Sequence, residues 1–579
     1  MTSAVEHVIS AQEEAIAAQE LAIAATAPLF VRACPGAGKT HVIVSRHLRG
    51  PAAALRQGRA LLSFTRAAAA QMRSRCHRES RPDAALFPHY IGTLDACIWE
   101  VLVVPNLPAG QTLQLVDSWD RVQAEVQLDR QVPLSAFTFQ RDPISGKESI
   151  REDLLSHEHT RLISTSKFGW EIWSKKAFAV RDDQMKAGYV TGHESRLLAL
   201  KYLESGENFT GPLRSRFAEI VVDEAQDCSV TDLELLDRLH HIGIPLVVVA
   251  DPDQMIYGWR DADLARLSSL EGQLGQTIEL TGNWRSSATV CRLAATLRAG
   301  SRPPDLAVRS STPEPPVILL PTRFPKGSAA QHAPSQRPVV DVFLEHAETY
   351  AVGAADCLVT AYRRTHLPAK GRRPAGNAAT LLAHAWRVVH SGTADPDQVD
   401  DALRISSRLL IRYWYPDVAA SGSIEARCTT ADVEFSHIIR HAYAFLHALP
   451  EPHAEWHKDV NAQLKTWPCP PNAAPRGTIG QLRGKPEGTK LSRTTAAPYR
   501  SDNIHQVKGD EHEGVLLLVP DDDAASHWAS GNPSADELLR NWYVAVTRAR
   551  RLLAIAIPPD DIDQLTEHLH ERHVPLLLG

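Results

Sequence analysis

Residues 33–40 read Ala-Cys-Pro-Gly-Ala-Gly-Lys-Thr and follow a short apolar run at 28–31. Glycines at these positions let a loop wrap a polyphosphate with its backbone N–H groups. Lys39 can reach the β- and γ-phosphates, and Thr40 can hold Mg²⁺. From His41 the spacing turns helical, so a helix N-terminus faces the phosphates. The strict loop pattern begins with Gly, and this chain has Ala33. Alone, the loop indicates only nucleoside triphosphate chemistry.

A second site follows at 219–228, Glu-Ile-Val-Val-Asp-Glu-Ala-Gln-Asp-Cys. An apolar strand delivers Asp223 and Glu224 to its carboxyl tip. Behind a phosphate loop, the first carboxylate suits Mg²⁺ and the second can polarise an attacking water. A solvated acidic turn is the plainer alternative, and the loop upstream argues against it. A third run, 248–262, ends a strand and presents Gln254, Tyr257, Trp259 and Arg260. An amide can sense a γ-phosphate, and a Trp beside an Arg makes a base-stacking platform. The alternative is a core Trp259, which its polar neighbours disfavour.

The elements that must position these groups read as strands alternating with helices. Apolar, β-branched runs at 29–31, 60–64, 220–222, 245–250, 317–320, 357–361, 515–519 and 552–557 predict strands. Helical patterns at 66–75, 231–240 and 534–543 lie between them. Such alternation predicts an α/β fold with parallel sheets and ligands at the carboxyl ends of the strands. Two regions break the alternation and read as insertions. Residues 101–214 are mixed and mostly helical in pattern. Residues 376–499 are helical at 378–390, 400–413 and 433–449, then rich in Pro and Gly from 467 to 498.

The 579-residue chain has 44% hydrophobic and 22% charged residues and a net charge of −6, so bulk charge announces no nucleic-acid partner and any basic groove is local. Its eight cysteines form neither a C-x-x-C pair nor a zinc spacing and read as reduced and mostly buried. The N-terminal segment has no basic leader, and the Ala-rich stretch at 11–27 carries Glu13, Glu14 and Glu20, which excludes a membrane span there. A cytoplasmic protein is expected.

Taken together, the motifs resemble those of superfamily 1A DNA helicases of the UvrD/Rep/PcrA group, in family order. By that resemblance Ala33, Cys34, Pro35, Gly36, Ala37, Gly38, Lys39 and Thr40 form the ATP loop. Gln19, in Gln-x-x-Ala-Ile, is similar to the adenine-reading glutamine; Gln12 fits the same short pattern at a less family-like distance from Lys39. His41 stands where the family usually has Arg beside the adenine. Residues 63–72 resemble motif Ia, which implies a DNA-backbone contact at Thr65. Residues 91–96 resemble motif Ib and keep Thr93, while Leu94 and Asp95 replace an aromatic residue and a histidine. Residues 280–286 resemble motif IV, with Arg285 as a γ-phosphate sensor and Trp284 in place of the Tyr that stacks on adenine. Residues 504–515 resemble motif V, which implies His505 and Lys508 near DNA and Glu511 near the ribose. Residues 541–550 resemble motif VI, with Arg548 as the arginine finger.

The resemblance implies two RecA-like P-loop cores, each with parallel sheets and a mostly helical insertion. The expected division is 1–100 and 215–277 for the first core around insertion 101–214. The second core is expected at 278–375 and 500–579 around a shortened insertion, 376–499. It implies ATP and Mg²⁺ as cofactors. Lys39, Glu224, Gln254, Arg285 and Arg548 are the expected catalytic groups, and Thr40 and Asp223 the metal ligands. Single-stranded and tailed duplex DNA is the expected partner, contacted by Thr65, Thr93, Tyr257, Trp259, Arg260, His505 and Lys508. The implied activity is 3′-to-5′ translocation and unwinding in repair, recombination or anti-phage defence. The short second insertion, and an Ile-Gly-Thr-x-Asp form of motif Ib similar to that of the helicase-like Gabija subunit, leave an alternative. In it the chain is a nucleic-acid-sensing ATPase subunit that regulates a partner nuclease without strong unwinding.

Overall fold

The computed structural model describes residues 2–50, 56–142, 144–256, 263–300, 302–309, 314–325, 329–368, 377–390, 396–418, 424–431, 433–486, 499–533 and 536–579. The chain divides into two compact units, Met1–His366 with Asp502–Gly579, and Leu367–Ser501.

The first unit holds two large sheets. One has six strands in the order Thr277–Leu280, Leu29–Ala33, Leu246–Ala250, Phe217–Val222, Gly58–Ser63, Tyr90–Thr93, and its pairs are parallel. Parallel strands buried on both faces need apolar residues at every position. The alternating residues accordingly sort into two cores. Phe30, Leu62, Ile220, Val222, Leu246 and Val248 face one side. Leu29, Val31, Leu61, Val221, Val247 and Val249 face the other. Each such side chain contributes roughly 1.5–3 kcal/mol when fully buried. The central strands therefore fix rigidly where the loops at their carboxyl ends emerge.

The second sheet is built on parallel strands Val317–Arg323, Ala549–Ile557, His512–Leu518 and Cys357–Ala361. Leu576–Leu578 adds to it in parallel and Gln331–His332 antiparallel, both against Val317–Arg323. All eight strands expected from apolar runs are present. The edge strands Tyr90–Thr93 and Thr277–Leu280 escape that reading, because half-buried ends in the first and alternating exposed residues in the second leave no continuous apolar run. Thr277–Leu280 belongs to the first sheet, so the chain passes to the second beyond Leu280 rather than at 278.

Between strands Tyr90–Thr93 and Phe217–Val222 of the first sheet, residues 114–190 contain more strand than their helical pattern suggests. Gln114–Leu115 pairs with Tyr189–Val190, Glu125–Gln127 with Gln131–Pro133, and Phe139–Arg141 with Glu148–Ile150. Strands of two or three residues are too short to register as a period-two pattern. Helices follow at His157–Ser164, Trp170–Lys186, Gly192–Leu203 and Glu207–Arg216. The buried Trp119, Trp173, Val126, Val132 and Phe139 form a small core of their own.

The second unit is helical among its described residues, with Ala378–His390, Pro396–Trp414, Ile424–Thr430, Phe435–Ala448 and Trp456–Thr466. Trp414, Phe445, Trp456 and Leu410 are fully buried in it. Asn377 starts its first helix, accepting hydrogen bonds from the N–H groups of Ala379 and Thr380 at 3.0 Å. No helix of the described residues is long and apolar enough to cross a membrane. Seven cysteines are buried, Cys469 is exposed, and none is in a disulfide.

Candidate nucleotide site and the cleft between the sheets

The phosphate loop leaves strand Leu29–Ala33 and enters helix Lys39–Arg49. Gly36 and Gly38 take φ of 75° and 80°, a left-handed conformation that glycine adopts without strain. A side chain on Gly36 would also collide with Arg285, whose Cβ lies 2.6 Å from the position a Gly36 Cβ would take. The helix begins with no side-chain cap, so its first N–H groups remain available to an anion.

Gln19 is brought to the loop by a long-range tie. Its Nε2 donates to the Ala37 carbonyl at 2.7 Å. The helix carrying it, Thr2–Ala24, is anchored at its C-terminal end by Arg46 of the loop helix. Arg46 donates to the carbonyls of Ala22 (3.0 Å) and Ala25 (2.6 Å) and pairs with Glu219 at 2.6 Å. That guanidinium supplies the donors that helix-end carbonyls otherwise lack.

Lys39 pairs with Glu224 at 2.9 Å. Burial alone would lower the Lys39 pKa, but Glu224, Asp223 and Asp251 outweigh it and the ammonium is held charged. Glu224 has φ 55°, an uncommon conformation for a non-glycine residue and a frequent sign of a functional position. Burial pushes the Glu224 pKa up, but Lys39 and Lys508 prevail and keep it ionised. Asp223, at the tip of Phe217–Val222, is driven the other way by burial and the adjacent Glu224 charge. A divalent cation would reverse that penalty. Thr40, in the first turn of the loop helix, and Asp223 are the residues that would hold it.

Gln226 extends the site. Its Nε2 donates to Glu224 Oε2, and its Oε1 accepts from the Asp251 N–H at 3.0 Å. Asp251 Oδ2 accepts from Gln254 Nε2 at 2.7 Å, and Gln254 Oε1 accepts from Arg548 Nη2 at 3.1 Å. A continuous polar chain thus runs from Lys39 to a cation at the start of the second sheet. Arg548 is fully buried and also donates to the carbonyls of Val544 (2.9 Å) and Asp510 (3.2 Å). Burial, with Arg285 nearby, pulls its pKa down to about 9.

Residues 283–287 close the loop from the second-sheet side. Asn283 Oδ1 accepts from the N–H groups of Arg285 and Ser286, both at 2.9 Å, and so sets a tight turn. The Trp284 N–H donates to the Gly36 carbonyl at 2.9 Å. Among the described residues the buried Trp284 Nε1 has no hydrogen-bond partner. The glycine cradle, the charged Lys39 and this unused donor together fit a nucleoside triphosphate. Arg285 is in an ion pair with Glu511 at 3.0 Å, and Glu511 is shared with Arg550 at 2.6 Å.

The residues expected at DNA are placed unevenly. Thr65 lies just past strand Gly58–Ser63 and Thr93 ends the adjacent strand Tyr90–Thr93; both start helices, their hydroxyls accepting from Ala68 and Ala96 N–H at 3.1 Å. Lys508 is turned into the cleft, at 2.5 Å from Asp227 and 2.9 Å from the Gln254 carbonyl. His505 is half-buried, its ring 6.0 Å from that of Tyr362. Burial, with Lys508 nearby, lowers its pKa. Tyr257, Trp259 and Arg260 lie outside the described residues. His41 accepts at Nδ1 from Arg75 at 3.1 Å, and burial with Arg75 lowers its pKa.

Residues 14–274 match the UvrD/REP helicase N-terminal domain. Over this stretch the chain resembles UvrD/Rep/PcrA proteins. It is 28% identical over 294 residues to the DNA helicase II of Haemophilus influenzae, covering 48% of this chain and 39% of that protein. Against the Escherichia coli DNA helicase II the identity is 26% over 276 residues, 46% of this chain and 38% of the relative. Against the ATP-dependent DNA helicase PcrA of Staphylococcus epidermidis it is 23% over 283 residues, 46% and 37%. The similarity thus spans under half the length of these curated relatives. The UvrD/Rep-like stretch includes Gln19, the phosphate loop, Asp223, Glu224 and Gln254. Arg285, Glu511 and Arg548 lie beyond the family match at 14–274 and enter the site through the second sheet. Gln226, Asp251 and Asp227 were legible only as polar residues beside named motifs; Gln226 joins two successive strand-end loops through Asp251, and Asp227 meets Lys508 from 281 residues away.

Proposed function

We propose that this chain is a cytoplasmic ATP-dependent DNA translocase that moves 3′-to-5′ on single strands and unwinds tailed duplexes. The observation that carries the reading is the polar chain from Lys39 through Glu224, Gln226, Asp251 and Gln254 to Arg548. It joins a phosphate loop on one sheet to a cation on another, which suits an ATP site completed by closure of two cores.

Lys39 and Glu224 satisfy each other in this arrangement. A polyphosphate would draw Lys39 away and leave the Glu224 carboxylate to take a proton from water, with Gln226 fixing its orientation. Bound Mg²⁺, on Thr40 and Asp223, would neutralise phosphate charge. Arg548 and Arg285 stand on the opposite wall, where added positive charge stabilises a developing transition state. Thr65 and Thr93 at neighbouring strand ends, with His505, Tyr257, Trp259 and Arg260, are the proposed strand contacts.

Strand displacement on duplexes with a 3′ or a 5′ single-stranded tail tests the proposal. Unwinding of the 3′-tailed substrate alone is expected. Absence of DNA-stimulated ATP hydrolysis would overturn the reading; stimulated hydrolysis without displacement would favour the partner-regulating ATPase.

A further inference from the structure

Asp95 lies two residues past Thr93, at the carboxyl end of the edge strand Tyr90–Thr93 and beside the neighbouring strand tip that leads to Thr65. A surface that meets a polyanion favours neutral or cationic groups, yet Asp95 is a carboxylate with its side chain 67% exposed. Its partner comes from the helix Gly192–Leu203. Arg196 Nη2 donates to Asp95 Oδ1 at 2.5 Å. The inner edge of the guanidinium is held independently. Its Nε donates to Asp232 Oδ1 at 2.6 Å, and its Nη1 donates to the Gly192 carbonyl at 2.9 Å. Asp232 is itself fixed, because its Oδ2 accepts from the Ser229 N–H at 2.9 Å and the Ser229 hydroxyl at 2.7 Å. The Arg196 and Asp232 side chains are 17% and 2% exposed. Arg196 is therefore a planar fork locked on its inner edge, with a solvent-exposed carboxylate on its outer edge.

We propose that Arg196 is a seat for a backbone phosphate of the single strand, and that Asp95 occupies this seat until the strand arrives. The two ion pairs differ in a way that favours exchange on the outer edge alone. The inner pair is buried, and breaking it would leave the Asp232 charge uncompensated. The outer pair has its carboxylate in water, and such a pair adds little stability. A phosphodiester offers the fork two oxygens as a carboxylate does, so it can replace Asp95 without moving Arg196. The released carboxylate is already at the surface and needs no new partner. This inference rests on the reading of the chain as an ATPase that binds single-stranded DNA.

The test measures binding of a fluorescent oligothymidine by anisotropy, at fixed salt and without nucleotide. It compares full-length wild type, Asp95→Asn, Arg196→Gln and the double variant. Asp95→Asn is expected to tighten binding about threefold, the size of a weak exposed pair. Arg196→Gln should weaken it about tenfold, through loss of a charge-assisted donor. In the double variant the gain from Asp95→Asn should vanish. An acid that merely repels DNA would give the same gain in both backgrounds, and a pair that serves only the fold would give none. Either result overturns the inference, as does weaker binding by Asp95→Asn. If Arg196→Gln does not fold, Arg196→Lys takes its place. Its ammonium can pair with Asp232 but cannot span both carboxylates, so the Asp95→Asn gain should disappear there too. A wild type that binds no single strand would instead overturn the underlying functional reading.

Discussion

Lys39 and Glu224 are charged groups taken largely out of water, and each is tolerable because the other is 2.9 Å away. Lys39→Ala removes the phosphate-binding cation while leaving Glu224 near Lys508, so the fold should survive and ATP hydrolysis should be abolished. Phosphate release with circular dichroism checks both halves; near-normal DNA-stimulated turnover would refute the loop assignment. Glu224→Gln keeps shape and the contact to Gln226 but cannot accept a proton. It should bind ATP with Mg²⁺ and hydrolyse it roughly 10²–10⁴-fold more slowly. Binding of a fluorescent nucleotide beside single-turnover hydrolysis separates the two steps, and normal turnover would move the base elsewhere. At this scale the sequence showed the groups whose chemistry is local: a glycine loop with its lysine, and two acids after a strand. What it did not show is how distant groups contact one another. Gln254 and Arg548 are each expected at the nucleotide from their motifs, but the direct hydrogen bond between them, across 294 residues, is not. Lys508, expected at DNA, is likewise held in the cleft by Asp227.

At the scale of elements, legibility followed burial. Strands covered on both faces are continuous apolar runs and are visible as such, whereas edge strands and the short pairs at 114–190 are held by a few side chains. In that region Glu148 is a central tie. It accepts from Arg181 Nη1 at 2.5 Å and is 3.1 Å from His193 Nε2, while Arg181 lies over the Phe139 ring at 4.7 Å. Burial raises the Glu148 pKa, but His193 and Arg181 outweigh it and bring it to about 2 from an ordinary 4.5. A carboxylate depressed on folding contributes stability that is complete above its unfolded value and is lost as pH falls through the folded one. Glu148→Gln should therefore cost roughly 1–3 kcal/mol at pH 7. The gap to wild type should narrow as pH drops below 4.5 toward about 2. Urea unfolding of both proteins at neutral pH and at pH 4 measures it. A gap that is constant with pH would mean that the ion pair contributes nothing to folding.

On the scale of the whole molecule, the chain interrupts its second sheet with a unit that has its own core. Trp414, Trp456 and Phe445 are fully buried among the helices of Leu367–Ser501, and the sheet's chemistry resumes only at 504, with Ile504, His505 and Lys508. None of the residues placed around the phosphate loop comes from that unit. A separable body of this kind should tune what the ATP cycle is used for rather than the cycle itself. Replacing 376–499 by a flexible linker should leave DNA-stimulated ATP hydrolysis largely intact and change duplex unwinding or partner binding. The linker must match the gap between its two attachment points, since a chain too short would strain the second sheet and one too long would only add slack. Hydrolysis rates and strand displacement, measured on the same preparation with its folding checked by circular dichroism, decide the matter. A folded variant that has lost hydrolysis would place the helical unit inside the engine, and the separation drawn between chemistry and regulation would fail.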